Sequence, residues 1–133
     1  MALAQDWTGQ TPIRSPKWSG NLGFNGGLPT PVGRFEIDGN VSYVADYQSD
    51  TDSLPCITTN CGRGLSPRMV IPAHTLMDLT LTWRPLNEHI EAAVYARNLF
   101  NKSYILRTDA STLGDYVIGG EPRVVGARLR YTY

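Results

Sequence analysis

The sequence predicts an antiparallel all-β fold, a meander of five long amphipathic strands that forms part of a wall. Three observations predict it. Apolar and polar side chains alternate with period two along most of the 133 residues, and no helical period is sustained anywhere. The connections run short, long, short, long. The last stretch, Val125-Gly-Ala-Arg-Leu-Arg-Tyr-Thr-Tyr133, is an amphipathic strand ending on an aromatic side chain.

The elements follow in order. Residues 1–16 are expected to be the end of an outer loop. In the first strand, about 17–27, Trp18, Gly20, Leu22 and Phe24 alternate with Lys17, Ser19, Asn21, Gly23 and Asn25. Leu28-Pro-Thr-Pro-Val-Gly33 supplies a proline-locked turn. The second strand, about 34–48, sets Phe35, Ile37, Val41, Tyr43 and Tyr47 against Glu36, Asp38, Asn40, Ser42 and Gln48. At ~3.3 Å per residue it would reach roughly 50 Å, longer than a hydrocarbon layer of about 30 Å. Residues 49–70 form a polar connection holding the two cysteines. The third strand, about 71–84, carries Thr75, Met77, Leu79, Leu81 and Trp83 on one face. Pro85-Leu-Asn-Glu88 is a tight turn into the fourth, about 89–99, with Ile90, Ala92, Val94 and Ala96 in one row. A second long connection leads to the final strand, about 122–133.

Composition narrows the function. Twelve basic and twelve acidic residues balance, which argues against a nucleic-acid partner. No apolar run approaches the ~18 residues of a membrane helix. Met-Ala-Leu-Ala-Gln-Asp-Trp7 has neither the basic nor the apolar region of a secretory signal. In Cys56-Ile-Thr-Thr-Asn-Cys61 the spacing is not that of a CxxC redox pair. With only His74 and His89 elsewhere, a four-ligand zinc site is disfavoured. A disulfide between Cys56 and Cys61 in an oxidising compartment is expected, with two free thiols as the alternative.

Energy selects the lipid face. Turning the last strand over would expose Arg128 and Arg130 to lipid, at ~2–4 kcal/mol each near the midplane. The row Val125, Ala127, Leu129, Tyr131 and Tyr133 therefore faces outward and the arginines face a wet interior. Aromatics are expected at two levels, with Phe24, Phe35, Trp83, Tyr131 and Tyr133 at the inner interface and Trp18, Tyr43, Tyr47 and Phe100 at the outer. Short turns lie in the periplasm and long loops outside. Transmembrane barrels need about eight strands at least, so these are expected to be the C-terminal strands of a longer chain. The location implied is the outer membrane of a Gram-negative bacterium. A soluble β-sandwich binding module and a passive porin-like barrel are the competing readings.

Asn98-Leu-Phe-Asn-Lys-Ser-Tyr104, followed by Gly120-Glu-Pro-Arg-Val-Val-Gly126 and the terminal aromatic strand, resembles the end of TonB-dependent outer-membrane receptors. Ser15-Pro-Lys-Trp-Ser-Gly-Asn-Leu22 is similar to another element of that family. The resemblance implies the C-terminal part of a 22-stranded barrel whose lumen holds a plug domain. It implies import of a scarce ligand, foremost a ferric siderophore and otherwise cobalamin, haem or a carbohydrate. Energy comes from the inner-membrane TonB complex. The plug domain and the TonB-contacting segment are expected to lie outside these 133 residues. Membrane lipids, the rest of the barrel with its plug, the TonB complex, the outer-membrane assembly machinery and a small-molecule metal chelate are the expected partners; no cofactor and no enzymatic activity are expected. Val125, Ala127, Leu129, Tyr131 and Tyr133 resemble the C-terminal signal read by the assembly machinery, which offers main-chain hydrogen bonds along an edge. Arg97, Tyr104, Arg107, Asp109 and Tyr116 are candidate ligand contacts, since basic and aromatic groups suit an anionic chelate. Glu36, Asp38, Asp78 and Glu91 read as charges of a wet lumen rather than as catalytic carboxylates.

Overall fold

Period-two alternation becomes strand over most of its length in the computed structural model, which describes residues 12–49, 69–87, 89–109 and 114–133. These residues divide into two units. One unit, from residues 18–44, 74–103 and 121–133, is a five-stranded antiparallel sheet. Its strands are β1 (Ser19–Thr30), β2 (Gly33–Val44), β5 (His74–Arg84), β6 (Ile90–Arg97) and β9 (Val124–Tyr131), paired in that order. The other unit holds β3 (Tyr47–Gln48), β4 (Val70–Ile71), β7 (Ile105–Asp109) and β8 (Tyr116–Gly119).

Directly opposed residues of an antiparallel pair share a face, so the register of the sheet determines its two surfaces. Leu28, Phe35, Trp83, Ala92 and Leu129 form one cross-strand row. Gly26, Ile37, Leu81, Val94 and Ala127 form the next, and Phe24, Gly39, Leu79, Ala96 and Val125 the one after. Every Asp, Glu and Arg of these five strands lies on the opposite face. The apolar face is open, with Leu22, Val125 and Leu129 about 70% exposed or more. At ~3.3 Å per residue, the twelve residues of β2 span about 40 Å.

Several sequence expectations are corrected. The second strand does not run unbroken over 34–48. It ends at Val44, and Tyr47 and Gln48 pair instead with Ile71 and Val70. The third likewise breaks at Pro72, which lacks the N–H a ladder needs. The connection 101–122 contains the β7–β8 hairpin. β1 continues through Pro29 to Thr30, because a proline is tolerated toward the end of a strand with an open edge. The turn is therefore only Pro31-Val32, and Phe24 stands mid-sheet instead of in the turn-side aromatic level. Its ring covers Gly39, the residue opposite it.

The ends of the strands are pinned by named contacts. Gly33 has φ 129°, and a Cβ there would collide with the Arg84 carbonyl. Trp83 Nε1 donates to the Val32 carbonyl at 3.3 Å and its ring stacks on Phe35 at 6.4 Å. At the other end Asn98, buried and left-handed at φ 48°, closes β6. Its Nδ2 donates to the Lys102 and Glu121 carbonyls at 2.9 and 3.0 Å, and its Oδ1 accepts from Lys102 N at 2.8 Å. Its own N–H donates to Asp78 Oδ1 on β5 at 2.9 Å. Asn101 Oδ1 accepts from Arg123 N at 3.1 Å, beside the start of β9. The Asn-Leu-Phe-Asn segment thus ties β5, β6 and the entry to β9 together.

In the second unit the core is small: Ala45, Met69 and Ile71 are buried beside the polar Gln48, Ser49 and Thr108. Ser49, 1% exposed, donates its Oγ to the Thr108 carbonyl at 2.8 Å and accepts from Thr108 N at 3.0 Å. Its own N–H reaches the Met69 carbonyl at 2.8 Å. One hydroxyl joins the β3–β4 and β7–β8 pairs.

Three outcomes are expected. Val94→Arg, on the open apolar face, should lower stability in micelles by about 2–4 kcal/mol, read as a lower urea midpoint. Asp38→Arg, on the charged face, should change it by less than about 0.5 kcal/mol. Ser49→Ala should cost about 1–3 kcal/mol, because the buried Thr108 N–H loses its acceptor. Faster hydrogen exchange at the Thr108 amide would register it, and undiminished protection there would contradict it.

Candidate functional site

The β7–β8 hairpin gathers three of the five candidate contact residues. A register shift between Ile105 and Arg107 precedes the pairs Arg107–Ile118, Thr108–Val117 and Asp109–Tyr116. Thr108 is buried, so period two turns Arg107 and Asp109 to the opposite face, where Ile118 and Tyr116 join them. Arg107 Nε lies 2.7 Å from Asp109 Oδ1 and 2.6 Å from Oδ2. Arg14 Nη2 lies 3.7 Å from the same Oδ1. Two guanidiniums thus meet one carboxylate on this face, while Tyr116 is 60% exposed.

The other two candidates are placed differently. Tyr104 stands at the foot of the hairpin, where its carbonyl accepts from Gly120 N at 2.8 Å. Its ring occupies the space a side chain at Gly120 would need, which explains the glycine. Arg97 ends β6 in the five-stranded unit, on the charged face. Arg14, which the sequence reading left in the outer loop, carries no local signal, because its partners lie 34 or more residues away.

On the charged face of the large sheet, ions alternate in sign. Arg34 Nε meets Glu36 Oε1 at 3.0 Å, and Glu36 also binds Arg84. Arg84 Nε reaches Glu91 Oε2 at 3.0 Å, and Arg128 reaches Glu91 Oε1 at 3.2 Å. The chain of five groups crosses β2, β5, β6 and β9. Its guanidiniums face solvent, so it neutralises the wall more than it stabilises it. Farther from the turns, Asn25, Asp38, Asn40, Asp78 and Thr80 line an open polar groove of about 420 Å³. Asp78 is occupied there by the Asn98 amide.

Val125, Ala127, Leu129 and Tyr131 lie together on the apolar face of β9, an edge strand among the described residues, and Tyr133 follows, fully exposed. Cys56 and Cys61 lie outside the described residues. Among the described residues, no group of three or more His, Cys, Asp and Glu could hold a metal ion. No helix among them is long and apolar enough to cross a membrane, which leaves crossing by strands untouched.

No family model and no curated protein matches the sequence. The structure is similar to that of the ferric yersiniabactin uptake receptor FyuA from Yersinia pestis, with a TM-score of 0.71 and 19% sequence identity. The match covers 90% of this chain but 16% of that receptor, so the chain spans about one sixth of its length. At this identity the likeness is one of fold. It agrees with the architecture that the Asn98–Tyr104 and Gly120–Gly126 segments implied. The chain has the fold of a run of β-barrel strands, and the barrel is not closed within it.

Proposed function

We propose that this chain is the C-terminal barrel segment of a TonB-dependent outer-membrane receptor that imports a scarce ligand, a ferric siderophore in the first place. The segregation of the sheet carries the reading. All ionic side chains of five adjacent strands lie on one face, and an open apolar face spans the other. Lipid against one face and a watery lumen against the other is the environment that such a sheet suits. A soluble sandwich would instead need a second layer over the apolar face, whose Leu22, Val125 and Leu129 are widely exposed. The likeness to a ferric uptake receptor supports the cargo class.

Within that reading the parts take roles. Residues Arg107, Asp109 and Tyr116, with Tyr104 at the hairpin foot, form one ligand-contact face, and Arg97, on the charged face of the sheet, is a separate candidate contact. The row from Val125 to Tyr133 on the open edge serves assembly, since an edge strand offers its backbone to a partner strand. A plug domain and the contact with the TonB complex belong to the rest of the receptor, and transport is not an enzymatic act.

Deletion of the gene encoding the whole receptor should abolish uptake of one radio-iron-labelled siderophore under iron limitation. Uptake should also stop when the inner-membrane energy supply is collapsed. Uptake that persists without energy and falls as the size of the solute grows would favour a passive barrel and overturn the proposal.

A further inference from the structure

Arg14 has a left-handed backbone, φ 57°. A residue with a long side chain takes that conformation rarely, and holds it only where its surroundings over-determine it. Here they do. Its N–H donates to the Gln48 carbonyl at 2.6 Å, and its Nε donates to the Ser49 carbonyl at 3.2 Å. Ser49 is locked by its buried reciprocal pair with Thr108, the residue next to Asp109. The frame therefore holds Arg14 by backbone and by Nε, and leaves the end of its guanidinium beside Asp109.

Ion pairing does not account for this. The side chains of Arg14 and Arg107 are 53% and 49% exposed, and exposed pairs gain little in water. A strained residue at a built, solvent-open cationic site points instead to a ligand. Each guanidinium has five N–H donors, of which the Ser49 and Asp109 contacts engage a minority among the described residues. Ile118 and Tyr116, opposite Arg107 and Asp109, add apolar and aromatic surface, 50% and 60% exposed.

We infer that Arg14 and Arg107 form a two-guanidinium fork over Asp109 that binds an oxyanion group of the ligand, a carboxylate or a phosphate-like group carried on an aromatic or apolar body. Arg14 is then a contact residue in its own right, and Ser49 and Thr108 position it. The inference rests on the reading of the β7–β8 face as the ligand-contact face.

The test uses the whole receptor that carries these 133 residues, labelled with ¹⁵N-arginine in zwitterionic micelles and titrated with inorganic phosphate against sodium chloride of equal ionic strength. The Nε–Hε resonances of Arg14, Arg107 and, as a reference on the ionic wall, Arg34 are followed. Arg14 and Arg107 should shift along one saturable curve that Arg34 does not share, and Arg14→Gln should weaken the Arg107 response at least fivefold. A saturating Arg107 with an unmoved Arg14, or an Arg107 curve unchanged by Arg14→Gln, would sink the fork and leave the contact face standing. Saturation at neither residue would sink both. Should Arg14→Gln disturb the Thr108 amide resonance, Arg14→Lys decides: it keeps the charge but not the guanidinium, and should weaken the Arg107 response at least twofold. An unaltered response would overturn the inference.

Discussion

A strand slipped by one residue against its neighbour turns all its side chains to the other face. In the five-stranded sheet such a slip of β5, β6 or β9 would carry Arg84, Glu91 or Arg128 onto the apolar surface and bring Leu81, Val94 or Leu129 to the ionic one. Parity therefore governs every pairing from β1 to β9. The ionic chain from Arg34 to Arg128 is a consequence of that parity, because in-register pairing is what brings alternate charges of neighbouring strands within reach. The apolar rows are the other consequence.

Parity leaves open how far each strand runs, and local chemistry decides that. Gly33 permits a two-residue turn packed against the Arg84 carbonyl, and Trp83 holds that turn through Val32. At the far end Asn98 supplies both a donor pair and an acceptor in a left-handed conformation that asparagine tolerates better than most residues. Its bonds join segments separated by 20 and 23 residues, so the end of β6 is fixed together with β5 and the entry to β9.

The faces of the sheet were legible in the sequence because period two is a local signal, readable along each strand without knowing its neighbours. The row Val125, Ala127, Leu129, Tyr131 could be set against Arg128 and Arg130 from nine residues alone. Strand ends were less legible. The pattern ran on through Tyr47, yet Tyr47 pairs with Ile71 in a separate small sheet, a change of partner that alternation does not encode. Phe24 was misplaced for a similar reason, since its level depends on whether Pro29 lies in the strand or in the turn. Of the candidate contact face, Arg107, Asp109 and Tyr116 were found by residue type and position near a predicted outer end. Arg14 was not, because nothing near it in sequence marks a residue whose partners are Gln48, Ser49 and Asp109.

The most direct measurement of the central claim is a nitroxide scan along β9. With Cys56 and Cys61 replaced by serine, single labels are placed in turn from Val124 to Tyr131 in the barrel reconstituted in bilayers, and collisions with oxygen and with a water-soluble nickel chelate are compared. Positions 125, 127, 129 and 131 should favour oxygen, and 126, 128 and 130 should favour nickel, with period two and opposite phase. Equal access to nickel at every position, or an oscillation with the phases exchanged, would contradict a wall with lipid on its apolar face and water on its ionic one.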